Sequence, residues 1–500
     1  MRTGVNRLIL SLSKDEAPGS SCRSYLDHLV RIALGFDRGE ARTGGKAMSG
    51  SGTEAPDVKP GRLEKGAYQN VFDDIAPPLS AREALIEAAR CHFCYDAPCV
   101  EACPTGIDIP SFIGKIRTGN LKGSAIDILS ANIFGGTCAR VCPVEELCEE
   151  ACVRTAGENK PVKIGMLQRH AVDALMAAGP QPFTRGPESG RTVAVVGAGP
   201  AGLACAHRLA MLGQKVDVYE ARSRSGGLNE HGIAAYKVPD AFAQREVAWL
   251  MGIGGIAIHH NKALGRDVTL AELRKRYPAV FLGVGLQSTQ KLGLADEALD
   301  GVEDAVAYIE RLRQAKDLGT LPVGRRVVVI GGGNTAIDIA IQSKRLGAED
   351  VTIAYRRGPS QMGATDHEQH LAQIEGVRIR HWVATTRLIG WKGRVKEIEL
   401  AYTRLDEAGK LVLTEARTTL LADTVFKAIG QTLVADPFNA DAREPLAVKN
   451  GKLVVNDERE TSLAGVYAGG DCTATGTDLT VRAVEDGKRA AIAIDRRLRA

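Results

Sequence analysis

Aromatic side chains are scarce in this chain, neither sign of charge dominates, and no apolar stretch is long. Phe, Trp and Tyr make up 5% of 500 residues, against 44% hydrophobic and 25% charged, the composition of an ordinary globular protein with ample core material. The formal charge is only +4, and residues 1–50 carry +3 of it, from 8 Lys/Arg and 5 Asp/Glu. The remaining 450 residues are almost neutral, so a nucleic-acid reader, which needs a concentrated basic face, is not expected. No uncharged apolar run reaches the roughly 18 residues of a membrane span. Leu8–Leu12 is too short for the core of a secretory leader and runs into Lys14, Asp15 and Glu16. The expected compartment is the cytoplasm.

Glycine, by contrast, is abundant: 55 of 500 residues, against about 7% in an average chain. That excess points to tight turns and ligand-cradling loops. Length alone suggests about three domains. Residues 1–60 show little periodicity, and Met48–Pro60 has a linker composition; the segment reads as a disordered tail or as an extension upstream of a start at Met48. From Ser80 the pattern turns helical, with a capping box to Glu83, and residues 61–185 form an expected all-α domain. After Gly179 strand-like and helical runs alternate, as in α/β layers built on a largely parallel sheet. The strand-like runs are Thr192–Val196, Lys215–Glu220, Ala279–Gly285, Arg326–Ile330, Val351–Tyr355, Asp423–Ile429 and Gly465–Tyr467, with a small β-meander over Thr385–Leu421. The expected fold class is α/β: two Rossmann-like nucleotide-binding domains preceded by the helical domain. The first nucleotide domain is expected at 186–288 and again at 424–500, with the second inserted at 289–423.

Eight of the 11 cysteines fall within Cys91–Cys152. They form two blocks, Cys91-x2-Cys94-x4-Cys99-x3-Cys103-Pro and Cys138-x3-Cys142-Pro-x4-Cys148-x3-Cys152. A large chain without a leader does not suggest disulfides. Structural zinc and iron–sulfur clusters remain. Zinc sites favour paired Cys-x2-Cys knuckles, and only one such pair occurs. Both blocks contain a ferredoxin-like Cys-x3-Cys-Pro, in which the cysteine before proline typically serves the other cluster. Iron–sulfur is the better fit. Cys22, Cys205 and Cys472 stand alone and read as ordinary thiols.

Two glycine loops follow. Strand Thr192–Val196 runs into Gly197-Ala198-Gly199-Pro200-Ala201-Gly202 and then a helix. The first glycine permits the turn, the second lets a pyrophosphate approach the helix N-terminus, and the third lets helix and strand pack. The next strand ends at Glu220, whose carboxylate suits the ribose hydroxyls. The pattern recurs as Gly331-Gly332-Gly333-Asn334-Thr335-Ala336. There the following strand ends in Arg356-Arg357, where guanidinium groups suit a 2′-phosphate or stand as solvated charges. An unphosphorylated adenosine is expected at the first loop and a nicotinamide dinucleotide at the second. Gly227-Leu228, just after the ribose acid, and Gly470-Asp471 with Thr480 near the C-terminus complete the first site in the manner of two-dinucleotide flavoproteins. Gly283-Val284-Gly285 and Ala428-Ile429-Gly430 read as the crossings between the domains.

With these motifs in place, residues 75–495 resemble the flavin/iron–sulfur electron-input module of dihydropyrimidine dehydrogenases and of the glutamate synthase small subunit. The strings carrying the resemblance are CHFCYDAPCVEACPTGIDIPSFI, CARVCPVEELCEEAC, GAGPAGL, GGGNTA and GTDLTVRAVEDGKRAA. It implies FAD, NAD(P)H and two [4Fe–4S] clusters. Carried over residue by residue, Cys91, Cys94, Cys99 and Cys152 hold one cluster. Cys103, Cys142 and Cys148 hold the other, with Gln168 as fourth ligand and Cys138 as a bystander. Glutamate synthase small subunits usually have Glu at the Gln168 position, which favours pyrimidine reduction. No third basic residue follows Arg356-Arg357, so the choice between NADPH and NADH stays open. His231, His259, His260, His367 and His370 show no pairing with a nucleophile. A barrel holding FMN and pyrimidine needs ~250 further residues, so it is expected on a partner polypeptide in a hetero-oligomer. A colourless zinc- and nucleotide-binding scaffold is the alternative of another class.

Overall fold

A computed structural model of the chain describes residues 66–439, 445–476 and 478–500, together with Leu63. The expectations for residues 1–60 lie outside the described residues.

No strand occurs between residues 66 and 191. The helices of this region are short because Cys, Pro and Gly interrupt them: Ala81–Ala88, Pro98–Ala102, Ile109–Arg117, Leu121–Ala131, Gly135–Val141, Val153–Glu158 and Ile164–Ala178. Ser80 and Glu83 form the expected reciprocal cap of the first. Their apolar faces meet in one core around Phe112, Ile113, Ile116, Ile128, Leu167 and Val172. The residues just before this bundle belong elsewhere. Tyr68 and Phe72 are buried in the core of the second nucleotide domain, against Tyr236, Tyr308 and Leu312. The helical domain therefore starts later than residue 61; two large aromatic side chains found their apolar partners across the molecule.

The first nucleotide domain is built on β1 (Thr192–Val196), β2 (Lys215–Tyr219), β3 (Ile256–His259) and β4 (Val280–Leu282). The second follows with β6 (Val302–Asp304), β7 (Arg326–Gly331), β8 (Asp350–Ala354) and β9 (Arg378–Arg380). A meander of β10 (Val383–Trp391), β11 (Arg394–Leu405) and β12 (Leu411–Leu421) comes next. Then β13 (Thr424–Ala428) inserts between β6 and β7, parallel to both, giving the order β6-β13-β7-β8-β9. This corrects the boundary at 423/424. A continuous apolar strand start, Val425 and Phe426 fully buried, belongs to the second sheet, and the chain leaves that domain only at Ile429–Gly430. A two-stranded ribbon of β5 (Ser288–Thr289) and β14 (Gln431–Thr432) marks the two crossings side by side. After a small hairpin, β15 (Val448–Lys449) and β16 (Lys452–Leu453), β17 (Val466–Ala468) returns to pair with β4, completing the all-parallel order β17-β4-β1-β2-β3. Each sheet places the strand that leads into its glycine loop, β1 or β7, centrally, the arrangement that puts a binding crevice beyond the strand ends.

The last helix, Thr480–Arg499, lies on the first glycine-loop helix, Pro200–Met211. A Cβ at Gly487 would stand 2.1 Å from the Ala201 carbonyl oxygen, so only glycine permits this contact. The same core admits Ile133, Phe134 and Cys138 from the helical domain, joining the cysteine region to the first nucleotide fold.

Candidate functional site

The two glycine loops share a backbone plan. Gly197 (φ +97°) and Gly331 (φ +149°) both adopt the region that favours glycine. A Cβ on Gly197 would meet the Gly283 oxygen at 2.3 Å, and one on Gly331 the Ala428 oxygen at 2.2 Å. Gly199 and Gly333 then N-cap their helices in extended conformation, and neither helix has a side-chain cap. The first N–H groups of both helices thus stay available to an anion.

Around the first loop the structure gathers Pro200, Ala201 and Gly202 on the helix, Glu220 at the end of β2, and Gly227-Leu228 opposite. Gly227 approaches so closely that a Cβ there would lie 2.7 Å from the Gly199 Cα, leaving a backbone-walled cradle that suits a pyrophosphate. Glu220 is buried and accepts from the Ala198 N–H at 2.7 Å and the Arg222 N–H at 2.8 Å, which fixes the carboxylate at the loop's mouth. The Thr480 hydroxyl donates to Asn229 Oδ1 at 2.9 Å, tying the last helix to the segment after Leu228. Gly470 and Asp471 follow β17. Burial, with Asp478 nearby, pushes the Asp471 carboxyl up to about 6. One residue of this site escaped the sequence reading. Buried Asp486 accepts from the Gly470 N–H at 2.9 Å and from Thr475, and pairs with Arg459 at 2.7 Å. It aligns the Gly470-Asp471 turn from 15 or more residues away, and only its place in the string GTDLTVRAVEDGKRAA marked it.

The second loop opens onto a cleft of about 570 Å³. Gly331, Gly333, Thr335, Tyr355, Arg356, Lys427 and Gly430 are among its walls. A Cβ on Gly333 would meet nothing within 4 Å, and the buried Asn334 Oδ1 has no partner. Open space above the helix N-terminus and an orphaned acceptor fit a nucleotide. The two arginines separate: Arg356 lines the cleft and Arg357 does not.

The histidines need one correction. His260 Nε2 lies 3.0 Å from Ser225 Oγ, a pairing invisible in sequence because the two stand 35 positions apart. Ser225 is buried and no acid orients the ring among the described contacts, so this is a structural bond. His259 meets Asp217 at 3.2 Å, and His231 is buried beside Glu310.

In the helical domain, Cys91, Cys94, Cys99 and Cys152 line one cavity with His92, Pro98, Val153 and Ile164. Its members come from both cysteine blocks. Burial, with Cys152 and Cys91 close by, pushes the Cys99 thiol up to about 11, an environment that favours the neutral thiol unless a cation compensates. Among the described residues no three His, Cys, Asp or Glu side chains converge on a single ion. A lone zinc holds sulfurs at roughly 2.3 Å, whereas a multi-iron cluster spreads its thiolates around a larger body. The cavity fits the cluster.

The second set lies alongside. Cys142 has Cys138, Cys148 and Cys103 as electrostatic neighbours, and its hydrogen bond with Cys138 together with burial holds its thiol well above the ordinary range. Burial does the same for Cys148, which also senses Cys103 and Cys99, so the two sets adjoin. Gln168 is buried and its Nε2 donates to the Gly135 oxygen at 2.7 Å, leaving Oε1 as the atom able to ligate. Cys142 packs against the core shared with the first nucleotide domain, whereas Cys103 and Cys148 pack, like Cys91, Cys99 and Cys152, against the helical core. Through Cys142 the second set touches the nucleotide fold.

The family described as dihydropyrimidine dehydrogenase domain II, 4Fe-4S cluster, matches residues 68–180, and pyridine nucleotide-disulphide oxidoreductase matches residues 191–487. The chain is similar to the NAD-dependent dihydropyrimidine dehydrogenase subunit PreT of Salmonella typhimurium, 34% identical over 426 residues that cover 85% of this chain and 97% of that one. The Escherichia coli K12 PreT matches to the same extent. The NADP(+)-dependent formate dehydrogenase subunit beta of Moorella thermoacetica is 34% identical over 436 residues, 81% of this chain and 60% of that one. Among solved structures, Mycobacterium tuberculosis FprA in complex with NADPH superposes with a TM-score of 0.51 at 21% identity, over 62% of this chain and 84% of that one, a likeness of fold. No helix among the described residues is long and apolar enough to cross a membrane.

Proposed function

The chain belongs to the family of NAD-dependent dihydropyrimidine dehydrogenase subunits, and from that premise we propose that it delivers NAD(P)H electrons to a partner subunit that reduces uracil or thymine. It is an NAD(P)H-dependent oxidoreductase subunit with flavin and [4Fe–4S] cofactors. Bound flavin supplies the conversion of a hydride into single electrons, and bound clusters carry them one at a time.

In this reading the chain's own residues bind and aim. Gly333, Asn334 and Thr335 receive the nicotinamide dinucleotide on a helix N-terminus, with Arg356 at its adenosine end. Gly199, Gly202, Gly227 and Glu220 hold the flavin's adenosine and pyrophosphate, and Asp471 with Asp486 behind it holds the remainder. Cys91, Cys94, Cys99 and Cys152 take one cluster; Cys103, Cys142, Cys148 and Gln168 take the second, nearer the flavin. No described histidine or cysteine is set up as a pyrimidine acid, which supports a substrate site on a partner carrying FMN in a barrel domain.

The gathering of four thiols from two cysteine blocks around one cavity carries the reading. Co-purification tests it. The purified chain should be yellow-brown, contain roughly eight irons for two cubane clusters, and reduce a dye with NAD(P)H. Uracil reduction should need a partner of roughly 45 kDa, by domain-size reasoning. Uracil reduction by the chain alone, or zinc in place of iron, overturns it. A partner several times larger, or one that oxidises formate, assigns the module to other chemistry.

A further inference from the structure

The turn after Cys103 returns a hydroxyl to its own sulfur. The Gly106 N–H donates to the Cys103 oxygen at 2.9 Å, Gly106 has φ +66°, and the turn brings Thr105 Oγ1 to 3.4 Å from Cys103 Sγ. Thr105 is only 5% exposed, and its hydroxyl has no other described partner. This turn is held from outside. Lys488, on the Thr480–Arg499 helix, donates from Nζ to the Thr105 oxygen at 3.1 Å and to the Ala131 oxygen at 3.0 Å, and pairs with Glu485 at 2.6 Å. All three of its donors are used. The same helix carries Thr480 and Asp486, which shape the flavin end. One element thus reaches from the flavin site to the loop of a cluster ligand.

We propose that Thr105 donates a hydrogen bond to the Cys103 sulfur that sets the reduction potential of the second cluster, with Lys488 as the positioning residue that fixes Thr105 from the flavin side. The proposal rests on the assignment of Cys103 to that cluster. A sulfur bonded to iron carries no proton, so the hydroxyl is the donor. Hydrogen bonds to cluster sulfurs stabilise the more negative, reduced state and raise the potential. The hydroxyl thus makes the second cluster easier to reduce than the same cluster without it.

The test is an EPR-monitored redox titration of the full chain, with iron content and stopped-flow flavin reduction measured in parallel. Thr105→Val should keep full iron and an unchanged rate of flavin reduction by NADH. It should lower the reduced-to-oxidised ratio of the second cluster at a fixed potential by about tenfold, the low end for loss of an outer-shell partner, and leave the first cluster unmoved. Thr105→Ser, which keeps the hydroxyl, should stay within about twofold of the parent. Lys488→Met should shift the ratio in the same direction and slow electron transfer from flavin to cluster, so the proposal does not depend on one variant folding. Full iron with an unshifted second cluster in Thr105→Val overturns the hydrogen-bond role; an unshifted Lys488→Met overturns the positioning role. Full iron in Cys103→Ala would instead remove the ligand assignment, and the proposal with it.

Discussion

The two glycine loops of this chain start from one plan and finish differently. In both, the first glycine presses against a carbonyl of the crossing strand and the helix begins uncapped. At the third position they part. A Cβ on Gly202 would lie 1.9 Å from the Gly197 oxygen, whereas the second loop has Ala336 there, buried without conflict. The first site is then closed by Gly227, Glu220 and the Asp486-braced turn, while the second remains a cleft rimmed by Arg356 and Lys427. In the proposed assignment the cofactor that stays bound takes the backbone-walled site and the one that must leave every turnover takes the open cleft.

The sharpest way to break this comparison is alanine at one glycine of each loop. Gly202→Ala should strip the protein of FAD and lower its melting temperature, since backbone atoms offer no room and overpacking costs about 1–3 kcal/mol or more. Retained flavin after gel filtration would show that the first loop is not tightly closed. Gly333→Ala, by contrast, fills open space. Its fold and flavin content should match the parent while the Michaelis constant for NAD(P)H rises at least about tenfold, read by steady-state kinetics with a dye acceptor.

A smaller effect separates the arginines. Arg356→Ala should raise the Michaelis constant for NADPH by about tenfold, in line with one charge-assisted bond of about 1.5–3 kcal/mol, with little change for NADH. Arg357→Ala should leave both nearly unchanged, because that side chain does not line the cleft. Equal losses with both cofactors would move Arg356 to the shared part of the nucleotide.

The smallest effect is a pH dependence confined to the first site. The Asp471 carboxyl, pushed up to about 6 by burial, is raised above its unfolded value of about 3.9. Its stabilising protonation is complete below pH 4 and is lost as pH rises through 6. Thermal melts of the flavin-free protein should therefore decline from pH 4 to 7 more steeply in the parent than in Asp471→Asn. Parallel curves would mean Asp471 is solvated.

Much of this was readable from the sequence because it is local. Strand, glycine turn, helix and terminal residue lie within about thirty positions, so β1 and β7 fell where the pattern placed them. The cysteine spacing announced clusters, and four of the thiols do line one cavity. What stayed hidden depends on long-range packing. The insertion of β13 between β6 and β7 has no local mark, since a buried parallel strand reads the same in either sheet. Tyr68 and Phe72 fall by position in the nearest domain, whereas their partners lie some 165 to 240 residues on. Asp486 meets the Gly470-Asp471 turn only through the fold, and the Ser225–His260 bond joins two loops.

The late return of the chain to its first sheet has a cost in time. β4 waits for β17, which begins 184 residues after Leu282, and the helix that covers Pro200–Met211 comes later still. At ~5–20 residues per second, synthesis of some 200 residues takes roughly 10–40 s. Throughout that interval β4 presents an unpaired edge and the outer face of the Pro200–Met211 helix lacks its cover, the condition in which nascent chains associate wrongly. The strands of the inserted second domain, and the Tyr68, Phe72 and Tyr236 side chains of its core, are meanwhile all synthesised. The sheet that carries the second glycine loop is thus complete in the growing chain before the sheet that carries the first.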